Sequence, residues 1–222
     1  MKNDMSTKQP AAKTQIGQLI FKKLPQAMTY EAFGKLNERL AADRQTTGEE
    51  QTESYIRYTL LNYRRMKRWD KTFRLPESSI DQIKSVGRKI FWLVLTESWC
   101  GDAAPTLPVM NKIAELNPNI QLGILLRDEH LDLMERFRTE GALSIPKLIS
   151  VDLKTGDILG EWGPRPDRAA QMVREYKEKH GALTPEFREE LQRWYNSDKG
   201  FGTLEELLEL LPLEYIGNRA DL

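Results

Sequence analysis

The chain of 222 residues holds one cysteine, and the residues around it are those whose types and spacing could do chemistry. Cys100 lies in Trp99-Cys100-Gly101-Asp102, after an apolar run from Ile90 to Leu95 and the polar Thr96, Glu97 and Ser98. Ala103, Ala104, Pro105 and a segment with apolar Leu107, Met110, Ile113 and Ala114 follow. The run, rich in β-branched and aromatic side chains, has the length of a strand buried on both faces, and the periodic segment reads as a helix. A thiol between them sits at a helix amino end, where free N–H groups and the positive end of the dipole favour the thiolate. Two effects therefore compete at Cys100. The helix end favours ionisation by roughly 0.3–1 kcal/mol, whereas the Asp102 carboxylate a few ångströms away opposes it by about 1–4 kcal/mol. Asp102 turned onto the helix N–H groups would soften that repulsion. Trp99 shields the thiol and offers an apolar wall to a partner.

At these residues the chain resembles the thioredoxin family. Trp-Cys-Gly followed by a proline-containing helix is similar to that family's active-site signature, and Ser144-Ile145-Pro146, between a helix and a strand, resembles its cis-proline loop. The resemblance covers about residues 89–181. It implies an α/β thioredoxin-like fold, a mixed sheet flanked by helices, here with extra N-terminal and C-terminal helices. It also implies that Cys100 is the catalytic residue, that Trp99, Gly101, Asp102, Ile145 and Pro146 bind substrate, and that the Ile145–Pro146 peptide is cis and faces Cys100. Two departures follow from the same resemblance. The position of the resolving cysteine is Ala103, so the two-step dithiol route is unavailable within one chain. The position of the buried acid is Val94, which removes the proton acceptor of the resolving step. Lys147 stands where a small polar residue is common.

Composition bounds the rest. With 40% hydrophobic residues, the chain can bury a core and reads as a single domain over residues 16–222 behind a flexible arm at 1–15. Within it, 28–88 is an N-terminal helical extension, 89–181 the thioredoxin-like core and 182–222 a C-terminal helical extension. Lys+Arg and Asp+Glu both total 33, so no whole surface is committed to nucleic acid or to an acidic membrane. The N-terminal residues lack a signal-peptide pattern, and no apolar run approaches the roughly 20 residues that span a bilayer. The expectation is a cytoplasmic protein without nucleic-acid or membrane partners, its fold held by packing rather than disulfides.

Along the chain, Thr29 caps a helix carrying Phe33, Leu36 and Leu40, and Thr46-Thr47-Gly48 breaks it. A longer helix is predicted from Glu49 to Phe73. Its basic end, Tyr63 to Arg74, interleaves cations with Trp69 and Phe73; those aromatics read as core and the cations as complementing the helix dipole. Ser79-Ile80-Asp81-Gln82 reads as a capping box. Ile120, Leu122, Ile124 and Leu125 make a second strand parallel to the first through a right-handed crossover. Asp128 is expected to cap a helix through Leu131, Met134 and Phe137 that ends at Gly141. Pro146 opens a third strand, Lys147 to Val151, and Lys154-Thr155-Gly156-Asp157 turns it into an antiparallel partner at Ile158 to Trp162. Pro166-Asp167 starts a helix ending at Gly181, Thr184-Pro185-Glu186 starts another, and Thr203-Leu204-Glu205-Glu206 reads as a second capping box. These last helices either cover the sheet edge or form a homodimer surface, and the sequence does not decide between the two.

His130 and His180 read as surface histidines, with no spacing that makes a metal site, and no cofactor motif is present. Glu49, Glu50, Glu205 and Glu206 read as helix-start residues. The leading expectation is thiol–disulfide exchange by a monothiol route, on protein or low-molecular-weight thiols and disulfides, with an outside thiol releasing Cys100. The other is a non-catalytic binding module that keeps the groove between Trp99 and Pro146 and has lost redox activity.

Overall fold

The computed structural model describes residues 14–212. The expected arm at 1–15 lies almost wholly outside them, and Gln15 already opens helix α1 (Gln15–Lys23), capped by the Thr14 hydroxyl. A four-stranded mixed sheet forms the centre, in the order β2 (Ile120–Leu126), β1 (Ile90–Thr96), β3 (Lys147–Asp152), β4 (Ile158–Trp162). β1 runs parallel to β2, with Val94 opposite Ile124, and antiparallel to β3, with Val94 also opposite Leu148. Ile90, Trp92, Leu93, Val94 and Leu95 are fully buried. Each such side chain contributes about 1.5–3 kcal/mol of hydrophobic stabilisation, so β1 is the anchor of the core. The β3–β4 turn is held by Asp152, whose Oδ1 accepts from Lys154 N at 2.6 Å and Thr155 N at 3.0 Å.

Helix α5 (Ala103–Leu116) makes the crossover from β1 to β2, and its buried face carries Leu107, Met110 and Ile113. Ahead of the sheet come α2 (Tyr30–Ala42), α3 (Glu53–Thr72) and α4 (Glu77–Lys84); α3 packs against α2 and α5. Trp69 and Phe73 are buried, in line with a core role for the aromatics of the basic segment. Residue 28 adds a single antiparallel bridge to the outer edge of β2, Met28 N to Ile124 O and Ile124 N to Met28 O, both 2.8 Å. That pairing shields the β2 edge at its middle. After β2 comes α6 (Leu131–Met134); after β4 come α7 (Asp167–His180), α8 (Pro185–Asp198) and α9 (Phe201–Glu209). α8 packs on α7, and α9 on α4 and α5.

Several boundaries differ from the sequence reading, each for a local reason. The long helix starts at Glu53, not Glu49, because Thr52 caps it and Gln51 binds the preceding loop, with Nε2 donating to Thr46 O (2.9 Å) and Gly48 O (3.0 Å). Glu49 and Glu50 therefore lie in a loop. Ser79 is buried inside α4, which begins after Pro76. Thr203 is likewise inside α9; the Asp198 carboxylate, not Thr203, accepts Gly202 N–H at that helix start. The helix expected up to Gly141 stops at Met134. Beyond it Thr139 and Ala142 exchange both backbone hydrogen bonds at 2.9 Å around Glu140 and Gly141, which take positive φ of 50° and 77°. His130 is buried beside Lys23, with Nζ 3.3 Å from Nδ1, rather than on the surface. His180 is exposed and packs on Tyr176.

Candidate functional site

Cys100 closes the loop between β1 and α5, its N–H donating to Glu97 O at 3.1 Å. Ser98 fixes that loop to the N-terminal helices. Its hydroxyl lies 2.8 Å from Thr59 Oγ1 and 3.1 Å from Thr46 Oγ1 and Thr47 Oγ1, while Asn62 Nδ2 donates to its carbonyl at 3.1 Å. Each such bond contributes only about 0.5–1.5 kcal/mol net, but a buried group that lost one would cost more. Thr46 and Thr47, which the sequence offered as a helix breaker, thus hold the loop that carries the cysteine.

The Cys100 side chain is only 6% exposed, and its thiol donates to Ile145 O at 3.2 Å. The Ile145–Pro146 peptide is cis, and both residues are buried. A second cis peptide, Gly163–Pro164, lies directly against this loop. A Cβ on Gly163 would fall 2.2 Å from Pro146 O, and its φ is 112°, so only glycine allows that approach. Ala103, at the first position of α5, is buried as well.

Asp102 does not cap α5 with its side chain. Its Oδ2 lies 2.7 Å from Arg165 Nη2, and its Oδ1 accepts from Tyr195 OH at 3.0 Å. Gln192 Nε2 donates to Gly101 O at 3.1 Å. The C-terminal helix α8 therefore grips the Trp99–Asp102 turn from outside, and the post-β4 loop supplies the cation. Gln192, Tyr195 and Arg165 escaped sequence reasoning. The one local signal was Gly163-Pro164-Arg165-Pro166, where two prolines fix the chain on either side of the arginine. Lys147 is buried and pairs across the hairpin with Glu161 at 3.0 Å.

These surroundings set the thiol's ionisation. Burial first, then the Asp102 carboxylate, push Cys100 up to about 12; the N–H groups of Ala103 and Asp102 and the Arg165 guanidinium act the other way and lose. Helix-end stabilisation, read from the sequence as favouring the thiolate, is outweighed by desolvation, which the sequence does not display.

Trp99 is half-buried, stacked on Tyr55 with ring centroids 4.6 Å apart and 14° between planes, and Arg127 lies 5.0 Å from its ring centre. Arg127 also donates to Asp128 Oδ1 at 2.8 Å and to Leu143 O at 3.5 Å, so it links Trp99 to the chain just before Ile145. A cleft of about 790 Å³ opens beside Trp99, walled by Thr47, Gly48, Tyr55 and Asp128 among others. Among the described residues no group of three or more His, Cys, Asp and Glu side chains is placed to hold a metal ion, and no helix is long and apolar enough to cross a membrane.

No curated protein matches the chain. Two solved structures share its architecture. A Pseudomonas aeruginosa protein of unknown function is 17% identical, with a TM-score of 0.57 over 90% of this chain and 96% of that one. An HIV epitope-scaffold is 18% identical, with a TM-score of 0.54 over 90% and 97%. At those identities the likeness speaks for the fold alone. The thioredoxin family model, by contrast, matches residues 48–177, more than half of the chain, from the loop that holds Ser98 to the last turn of α7; on that match and this topology, the chain belongs to the thioredoxin family.

Proposed function

We propose that this thioredoxin-family chain is a binding module without redox turnover, its partner surface built around Trp99. The observation that carries this reading is the state of Cys100: buried, donating its proton to Ile145 O, and pushed up to about 12. At pH 7 such a thiol is ionised to only about one part in 10⁵, and it is the thiolate that attacks disulfides. Ala103 in place of a second thiol removes the resolving step. Ile145, whose carbonyl already accepts from Cys100 and whose side chain is buried, is not open to an added peptide strand; Trp99 and the cleft beside it are the accessible part of this face.

A second reading, monothiol exchange, is favoured by the contact of Cys100 Sγ with the residue before the cis proline. In that reading the loop opens, the thiolate attacks a disulfide to give a mixed disulfide and one released thiolate, and an outside thiol then displaces the partner from Cys100.

The pH dependence of Cys100 alkylation by iodoacetamide, followed by mass spectrometry on the folded full-length protein, tests the two. The binding module requires slow modification with an apparent pKa of about 9 or above. Rapid modification with an apparent pKa near 7 or lower would overturn it in favour of the monothiol route.

A further inference from the structure

We propose that the groove between α2, α3 and α5 is a binding site for a small neutral polyhydroxylated molecule, a sugar or polyol. This groove shares no residue with the cleft beside Trp99, so the site lies beyond the binding-module reading of that face. It encloses about 480 Å³, within the roughly 300–1,000 Å³ of small-molecule sites. Its α2 wall presents Tyr30, Gly34 and Asn37 at helical spacing, and its α3 wall presents Tyr63, Met66 and Asp70.

Two features of α2 point to a guest. Asn37 lines the groove and is only 2% exposed; its Nδ2 meets the weak acceptor Met66 Sδ at 3.6 Å, and its Oδ1 has no hydrogen-bond partner. A buried carbonyl oxygen without a donor costs stability, and a donor held in the groove would satisfy it. Gly34, one turn before Asn37, stands inside the helix, where glycine costs stability relative to alanine, yet a Cβ there would meet nothing within 4 Å. Neither a left-handed backbone nor a close neighbour calls for glycine, and the space it leaves falls at the middle of the lining face.

The charges of the walls favour a neutral guest. Three lysines of the lining each pair with a glutamate of the same lining: Lys35 with Glu31 at 2.6 Å, Lys67 with Glu38 at 3.9 Å and Lys112 with Glu115 at 3.0 Å. Asp70 is left over, half-buried and accepting from Tyr30 OH at 2.7 Å, with burial pushing its proton affinity up. Hydroxyl groups both donate and accept, so one molecule can serve the acceptors Asn37 Oδ1 and Asp70 together with the lysine donors of the rim. Tyr30, Tyr63 and Met66 offer apolar surface to its C–H side.

Amide NMR titration of the full-length protein with D-glucose, D-ribose, myo-inositol and sorbitol tests this, with cyclohexanol and butylammonium as controls. At least one polyol is expected to saturate, to shift the Gly34 N–H and the Asn37 side-chain amide, and to bind at least about tenfold tighter than cyclohexanol. Saturation by the cyclic probes assigns the site to a sugar ring or cyclitol, and by sorbitol alone to an open-chain polyol. Gly34→Leu, which fills the space, is expected to abolish binding with a melting temperature at or above that of the wild type. If that variant does not fold, Gly34→Ala is expected to weaken binding while raising the melting temperature. Asp70→Asn, which keeps an acceptor for Tyr30 OH, is expected to weaken binding at least about tenfold. No saturation by any polyol, saturation by butylammonium in their place, shifts that leave Gly34 and Asn37 unmoved, or variants that bind as the wild type would each overturn the proposal.

Discussion

The carboxylate of Asp102 is held between Arg165 Nη2 at 2.7 Å and Tyr195 OH at 3.0 Å, neither of which belongs to its own loop. A negative charge thus sits beside the thiol, two residues along the chain, and is kept there by a post-β4 arginine and a tyrosine of α8. Asp102 is one of the two causes that raise Cys100, and Arg165 only partly offsets it. The pair therefore favours the neutral thiol while locking the turn to the C-terminal helices.

Asp102→Asn should move the Cys100 titration down, because it removes the carboxylate repulsion and leaves Arg165, which favours the thiolate. Each unit of downward shift raises the thiolate fraction about tenfold, so alkylation at a fixed pH below the titration should speed up accordingly. The substitution strands a guanidinium whose side chain is 21% exposed, so the stability loss should fall below the roughly 3–5 kcal/mol of a fully buried pair broken on one side. Alkylation profiles of both proteins, with urea melts as the stability control, check this. An unchanged or higher titration would show that burial alone sets the thiol.

How much of this was legible in the chain depends on the range of the forces involved. The apolar run Ile90–Leu95, the crossover helix and the β3–β4 turn were readable because periodicity and turn chemistry are local. So was the juxtaposition of Trp99-Cys100-Gly101-Asp102 with Ile145-Pro146, through the family resemblance. The partners of Asp102 were not, since Arg165 and Tyr195 come from 63 and 93 residues away and carry no pattern of their own. Desolvation of Cys100 was hidden for the same reason: it is a property of everything packed around the thiol. The capping boxes at Ser79 and Thr203 failed differently, because Pro76 and Gly200 just upstream start those helices earlier than the four-residue motif suggests.

The raised thiol has a consequence for stability. Folding lifts Cys100 from the ordinary thiol range to about 12, so above roughly pH 9 the unfolded chain gives up this proton while the folded chain keeps it. The contribution is fully present below the unfolded value and is lost as pH rises through the folded value. Stability should therefore fall between about pH 9 and 12, by an amount on the order of 4 kcal/mol if this group acted alone. Urea melts of wild type and Cys100→Ala across that range isolate the term: the wild type should lose more stability than the variant, and parallel curves would sink the assignment.

Ala103→Cys restores the second thiol at the first residue of α5, three positions after Cys100. Residue 103 is buried against the same loop, so a pair of thiols there should join within one chain under mild oxidant, with a mass lower by two hydrogens and no dimer. Disulfide reductase activity should appear but remain slow. Val94 cannot take the proton from the resolving thiol, and burial with the Asp102 charge holds Cys100 neutral. Combining the substitution with Asp102→Asn should therefore raise the rate, since it lowers the titration of the attacking thiol without touching the resolving one's position. A variant that stays fully dithiol, or that joins only between chains, would mean that positions 100 and 103 lack disulfide geometry. In that case the shape of the turn, and not only the missing cysteine, would bar a dithiol route.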